Sequence, residues 1–182
     1  MRFNERPCRY FEKPGSANTE AVLEAVSRRL DEGDVRTVVV SSTSGKTGLK
    51  FAEDLQKKAK VVVVSYERLR PGFKDKILSF GGVVIEEADL PMHKQGMDKI
   101  RNALYILGQG FKVAVEVILI AVDEGVVKSK QEVIGVGGTE RGADTAIVAK
   151  ASSSKDMLGP DIRKRFEVRE VIAMPLKKKW WE

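Results

Sequence analysis

Apolar positions along the chain switch between a helical and an extended period. Val22, Val26 and Leu30 stand four apart after Asn18-Thr19-Glu20, which predicts a capped helix ended by Gly33. Residues 35–42 centre on Val38-Val39-Val40, the composition of a strand buried on both faces. Leu49, Ala52 and Leu55 mark the inner side of a second helix, with Lys50, Glu53 and Asp54 outward. Residues 61–65 and 83–87 read as two more strands, with a short helix over 74–80 stopped by Gly81-Gly82. Helical spacing returns over 98–107 through Ile100, Leu104 and Leu107. The run FKVAVEVILIAVDEG is too long for a typical strand, and Lys112, Glu116 and Asp123 share one helical stripe. It predicts a mostly buried helix closed by Gly125. Residues 133–136 and 146–150 read as strands around the loop GGTERGAD, and 168–174 as a last strand. The first 17 residues show no periodicity. This alternation predicts an α/β fold, a three-layer sandwich with a mainly parallel central sheet. No internal repeat or linker divides it, so residues 1–182 read as a single domain.

Composition narrows the functional classes. With 42% hydrophobic and 32% charged residues the chain is globular, not disordered. It has no apolar run long enough to span a bilayer, and MRFNERPCRYFEKPG lacks a signal-like apolar region, so a cytoplasmic location is expected and no membrane partner. The one cysteine, Cys8, leaves no internal disulfide and no multi-cysteine zinc site. The net charge of +6 suits acidic partners, phosphorylated small molecules among them.

The stretch SSTSGKTG follows the strand run 35–42 and raises the question of a nucleotide triphosphate loop. That loop needs a glycine five residues before Gly45, and Val40 stands there, inside the strand. GVVIEEAD supplies Glu86, Glu87 and Asp89 as candidate magnesium carboxylates, so an NTPase using Lys46 and magnesium stands as the alternative reading. The preferred one needs no metal. A strand end, small hydroxyl residues and a helix start present backbone N–H groups at the positive end of a helix dipole. Ser42, Thr43, Ser44 and Thr47 add hydroxyls, Gly45 allows close approach and Lys46 adds charge, which together suit a phosphomonoester. Plain capping by Ser44 or Thr43 is the structural alternative.

The order NTEAVLEAVSRRL, VRTVVVSSTSG, KTGLKFAEDL and VVVVSY resembles the C-terminal domain of pyruvate kinases. Ser42-Thr43-Ser44-Gly45-Lys46-Thr47 is similar to that family's S-T-S-G-x-T turn, which holds a phosphate of an allosteric sugar bisphosphate. GVGGTERGADTAIVAK is similar to its closing segment, with Ala143 and Asp144 departing from the usual residues. The resemblance covers about residues 18–150, leaving 1–17 and 151–182 as extensions. It implies a stand-alone domain of this type, not a pyruvate kinase, because the catalytic barrel has no room in the chain. It also implies a phosphorylated ligand at the strand C-termini, flavin mononucleotide (FMN) or a sugar phosphate.

Other candidates follow. Thr139, Arg141 and Gly142 sit in a polar loop expected to face the same crevice, Arg141 pairing a phosphate. The loop from Gly15 to Thr19 offers a further wall or a plain cap. His93 stands without a second histidine or a nucleophile partner, so no catalytic residue is assigned and the chain leans away from being an enzyme. The tail LKKKWWE, with Trp180 and Trp181, pairs basic and aromatic residues; a homo-oligomer contact or simple packing is expected before nucleic-acid binding.

Overall fold

The computed structural model describes residues 3–179. Seven strands form one sheet in the order β1-β7-β6-β5-β2-β3-β4. They are β1 (Arg9–Phe11), β2 (Thr37–Ser41), β3 (Lys60–Val64), β4 (Val83–Ile85), β5 (Glu132–Gly137), β6 (Thr145–Lys150) and β7 (Glu167–Pro175). All neighbours run parallel except those of β6, which is antiparallel to both β5 and β7. The helices are α1 (Thr19–Leu30), α2 (Lys46–Leu55), α3 (Phe73–Ser79), α4 (Asp98–Tyr105) and α5 (Gln109–Asp123).

Strand side chains alternate between two apolar layers. Val38, Val40, Val61 and Val63 pack with α1, α2 and α3 on one face. Val39, Val62 and Val64 pack with α5 on the other. Because both faces are covered, Val38, Val39 and Val40 are each fully buried, as the continuous apolar run requires. Helix α2 shows the opposite logic: Phe51, Ala52 and Leu55 are buried while Glu53 and Asp54 face solvent.

Two local expectations change. Asn18 does not cap α1; it is helical at φ −86°, and its amide donates to the Lys13 carbonyl at 2.8 Å. A 3-10 turn, Ser16–Asn18, leads into the helix instead. The aperiodic N-terminus contains β1, which pairs with β7 through Arg9↔Ala173 and is tied to α1 by Arg9 Nη1 donating to Ala21 O at 2.8 Å. Among the described residues no helix is long and apolar enough to cross a membrane.

Candidate functional site

Strand order locates the crevice. The chain runs from β2 outward to β3 and β4, then returns to place β5 on the other side of β2. Open α/β sheets bind ligands beyond the strand C-termini at such a reversal. Val40 pairs with Val136, so the loops leaving β2 and β5 emerge side by side from the same edge. The first contains Ser42 to Thr47 and the second Thr139, Arg141 and Gly142. The fold therefore brings both sets of sequence candidates to one edge, although no hydrogen bond joins the two loops among the described residues.

The first loop is a built turn. Ser42 N–H extends the sheet to Val64 O at 2.9 Å, and its buried Oγ accepts Gly48 N–H at 3.0 Å, so Ser42 satisfies one N–H of the first turn of α2, whose N-cap is Gly45. Ser44 Oγ takes only a long contact from Lys46 N–H, 3.4 Å. The N–H groups of Thr43, Ser44 and Thr47 have no acceptor among the described residues, and neither do the Thr43 and Thr47 hydroxyls have a partner. These donors sit at the N-terminus of α2, where the helix dipole favours an anion. Gly45 sits at φ 90°, and a Cβ there would come within 2.7 Å of Phe73 Cβ. At Gly48 a Cβ would approach Val63 Cγ1 to 2.4 Å, so the first turn of α2 lies hard against β3.

The loop between β3 and α3 flanks this turn. Arg70 N–H donates to Ser44 O at 3.4 Å, and Ser65 Oγ donates to Thr43 O at 3.3 Å. Arg70 and Lys46 are exposed, and neither side chain has a partner among the described residues. Tyr66 is 52% exposed at the same rim. Sequence reasoning missed Arg70 and Tyr66, because only the parallel pairing of β2 with β3 sets their loop beside the turn. The acids beyond β4 are occupied. Glu86 accepts Leu69 N–H at 2.7 Å and pairs with Lys74, and the Lys74 ammonium followed by that N–H lowers its pKa. Glu87, at φ 52°, pairs with Arg68, and Asp89 with Lys94.

The second loop carries its own anion. Asp144 is fully buried and accepts from Gly15 N–H at 2.9 Å, Thr139 N–H at 3.0 Å and Thr145 Oγ1 at 2.8 Å. Thr139 is thus buried within the loop, and Ala143 N–H donates to Thr19 Oγ1 at 3.0 Å, joining the loop to the start of α1. Of the three candidates there, Arg141 alone is exposed. The basic tail folds back onto this region: Lys179 pairs with Glu140, and Lys178 donates to Pro175 O. Burial lowers the Lys178 pKa against the opposing pull of Asp144. Trp180 and Trp181 lie outside the described residues.

His93 is less isolated than its sequence context implies. Its Nε2 lies 2.9 Å from Lys112 Nζ, which donates to Glu116 Oε2 at 2.7 Å, and Glu116 Oε1 accepts Met92 N–H at 3.0 Å. Lys112 and Glu116 are only 2% and 3% exposed. Burial, then the Lys112 charge, lowers the His93 pKa. His93 Nε2 therefore accepts from the lysine.

A cavity of about 360 Å³ lies between β1, β7 and α1, lined by Arg6, Cys8, Arg9, Tyr10, Arg28 and Arg29 among others. It contains none of the expected site residues. Its arginines are neutralised by Glu24, Glu32, Asp34 and Glu170, so it offers no unmet charge. The turn after β2 keeps donors and cations without partners among the described residues, and on chemical grounds it is the better candidate.

Fold and strand order define a doubly covered, mainly parallel α/β domain whose candidate site lies at the β2/β5 reversal. The family model described as "Pyruvate kinase, alpha/beta domain" matches residues 20–149, and the chain belongs to that family. A solved structure titled "Crystal structure of O-ureido-L-serine synthase" is similar at 20% identity with a TM-score of 0.33, covering 50% of this chain and 30% of that one.

Proposed function

We propose that this domain binds a phosphate-bearing small ligand, FMN or a sugar phosphate, on the turn formed by Ser42, Thr43, Ser44, Gly45, Lys46 and Thr47. The observation that carries the reading is the set of unused N–H groups of Thr43, Ser44 and Thr47 at the start of α2. Buried or half-buried backbone donors normally find acceptors, and a phosphate oxygen at a helix N-terminus supplies them. Lys46 and Arg70, without side-chain partners among the described residues, add positive charge beside them, and the loop of Arg141 leaves β5 at the same edge. The pairing of Glu86, Glu87 and Asp89 with lysine or arginine supports a metal-free cradle over a magnesium triphosphate site. The folding of Lys178 and Lys179 onto the β5–β6 loop supports a small ligand over a nucleic-acid strand.

The test is a thermal shift with FMN and with ribose 5-phosphate, alongside an absorbance spectrum of the purified protein. A ligand at about 100 times its Kd stabilises by about 2.7 kcal/mol. The Lys46→Ala/Arg70→Ala double variant is expected to lose most of that shift. Magnesium-dependent ATP hydrolysis abolished by Lys46→Ala would support the NTPase instead. Salt-steep oligonucleotide binding lost on removing residues 177–182 would support nucleic-acid recognition.

A further inference from the structure

We propose that the sheet edge opposite the candidate site docks on an anionic lipid bilayer, through a basic patch around the end of α5 and the aliphatic tip of the β6–β7 loop. Strands β3 and β5 start at this edge and β6 ends there, Thr37 pairing with Lys60 and Glu132 with Lys150. Hydrogen bonds join the flanking loops into one surface. Lys60 Nζ donates to Val126 O at 3.3 Å, and Lys130 N–H to Ala151 O at 2.7 Å. Ser154 N–H donates to Asp123 Oδ1 at 3.0 Å, and Ser152 Oγ to Lys164 O at 2.7 Å. The end of α5, residues 124–131 and residues 151–166 therefore share one face of the molecule, away from the turn after β2.

Lys60, Lys128, Lys130, Lys155 and Lys164 are exposed here, and none forms an ion pair among the described residues. The carboxylates of the same face are mostly engaged. Asp123 and Asp156 accept from Ser154 N–H and Ser153 Oγ, and Asp161 pairs with Arg163. Glu132 pairs with Arg169 and Glu167 with Lys150, which leaves Glu124 as the one carboxylate without a partner among the described residues. Such an excess of ammonium groups attracts a polyanion. Charge alone would suit nucleic acid as well as a bilayer, and the apolar residues decide between them. Leu158 is 60% and Ile162 67% exposed, on the loop that also carries Lys155, Arg163 and Lys164. Buried Met157 anchors that loop to the α5-side core, and Arg165 Nε donates to Gly159 O at 2.7 Å across its tip. A phosphodiester backbone offers two exposed aliphatic side chains no partner. Phe166, the one aromatic residue of the two loops, packs against the core and so is not set out to stack a base. A bilayer engages both features, cations at its anionic headgroups and aliphatic side chains in the interface. Contact in that layer needs no spanning helix.

The experiment sediments the full chain with vesicles of equal parts phosphatidylserine and phosphatidylcholine and with phosphatidylcholine alone, and measures binding to a duplex oligonucleotide. Wild type is expected to bind the mixed vesicles, more weakly as salt rises, and not the phosphatidylcholine ones. Lys128→Gln/Lys130→Gln should weaken vesicle binding about 25-fold, about 5-fold for each lysine taken from an anionic surface. Leu158→Ser/Ile162→Ser should weaken it about 10-fold and keep the salt dependence. All four side chains are exposed, so both variants should melt with wild type. Lys46→Ala, at the opposite edge, should bind vesicles unchanged. Failure of wild type to sediment with the mixed vesicles overturns the proposal, as does vesicle binding that Leu158→Ser/Ile162→Ser leaves intact. Oligonucleotide binding tighter than vesicle binding, lost in Lys128→Gln/Lys130→Gln alone, assigns the patch to nucleic acid instead.

Discussion

At φ 90°, and with Phe73 Cβ 2.7 Å from where a side chain would begin, Gly45 admits no other residue without movement. Gly45→Ala meets the left-handed penalty of about 1–2 kcal/mol and also pushes on the first residue of α3. A melting curve should register at least that loss, and ligand titration should show binding abolished, since the free N–H groups flank the displaced residue. His93 gives a pH signature of known sign. Its folded pKa lies below the ordinary 6.5, so the unfolded chain takes up the proton first. The stability it contributes is present above 6.5 and falls as pH drops through that value towards the depressed one. Denaturation midpoints at about pH 7.5 and 5 should therefore separate more in wild type than in His93→Gln, and the imidazole resonances should titrate below 6.5. A midpoint at or above 6.5 would remove the Lys112 contact from the account. Gly45 was legible in the sequence as part of a turn. The His93–Lys112 contact was not, because it joins residues 19 apart and only the fold closes that distance.

Helix α5 shows how far a period reaches. Its length and stripe were readable from the order of residues, and the helix ends where the glycine implied. Lys112 and Glu116 stood on that stripe, yet an i,i+4 Lys–Glu pair ordinarily marks a solvated face. Here the pair is buried, with Met92 N–H bonded to Glu116 and His93 Nε2 to Lys112. Removing one partner leaves a buried charge: Glu116→Ala is expected to cost about 3–5 kcal/mol. The Lys112→Met/Glu116→Leu double variant should recover most of that, and chemical denaturation of all three variants measures it. Strand β1 fails the sequence test for a different reason. Three residues are too few to show alternation, and the pairing that makes them a strand comes from β7, 164 positions along the chain at Arg9↔Ala173. By contrast, α2 was legible because its apolar side, its outward acids and its glycine-bearing start agree with one another.

On the scale of the whole molecule, the parallel α/β class followed from alternating helices and doubly buried strands, but the strand order did not. That order assembles the candidate site. Placing β5 next to β2 aligns the loop of Arg141 with the turn, and placing β3 on the other side brings in Arg70 and Tyr66. The strand order also closes the second loop on itself, since Gly15 and Thr139, 124 positions apart, converge on Asp144. In the first turn the N–H groups of Thr43, Ser44 and Thr47 keep no acceptor among the described residues. The direct measurement is a two-dimensional amide NMR titration of the chain with FMN. The account predicts that the N–H resonances of Thr43, Ser44 and Thr47 shift together and saturate, while those of Gly15 and Thr139, already bonded to Asp144, stay near their starting positions. Saturating FMN that moves the Gly15 and Thr139 amides, or none at all, and leaves the three turn amides in place would contradict it.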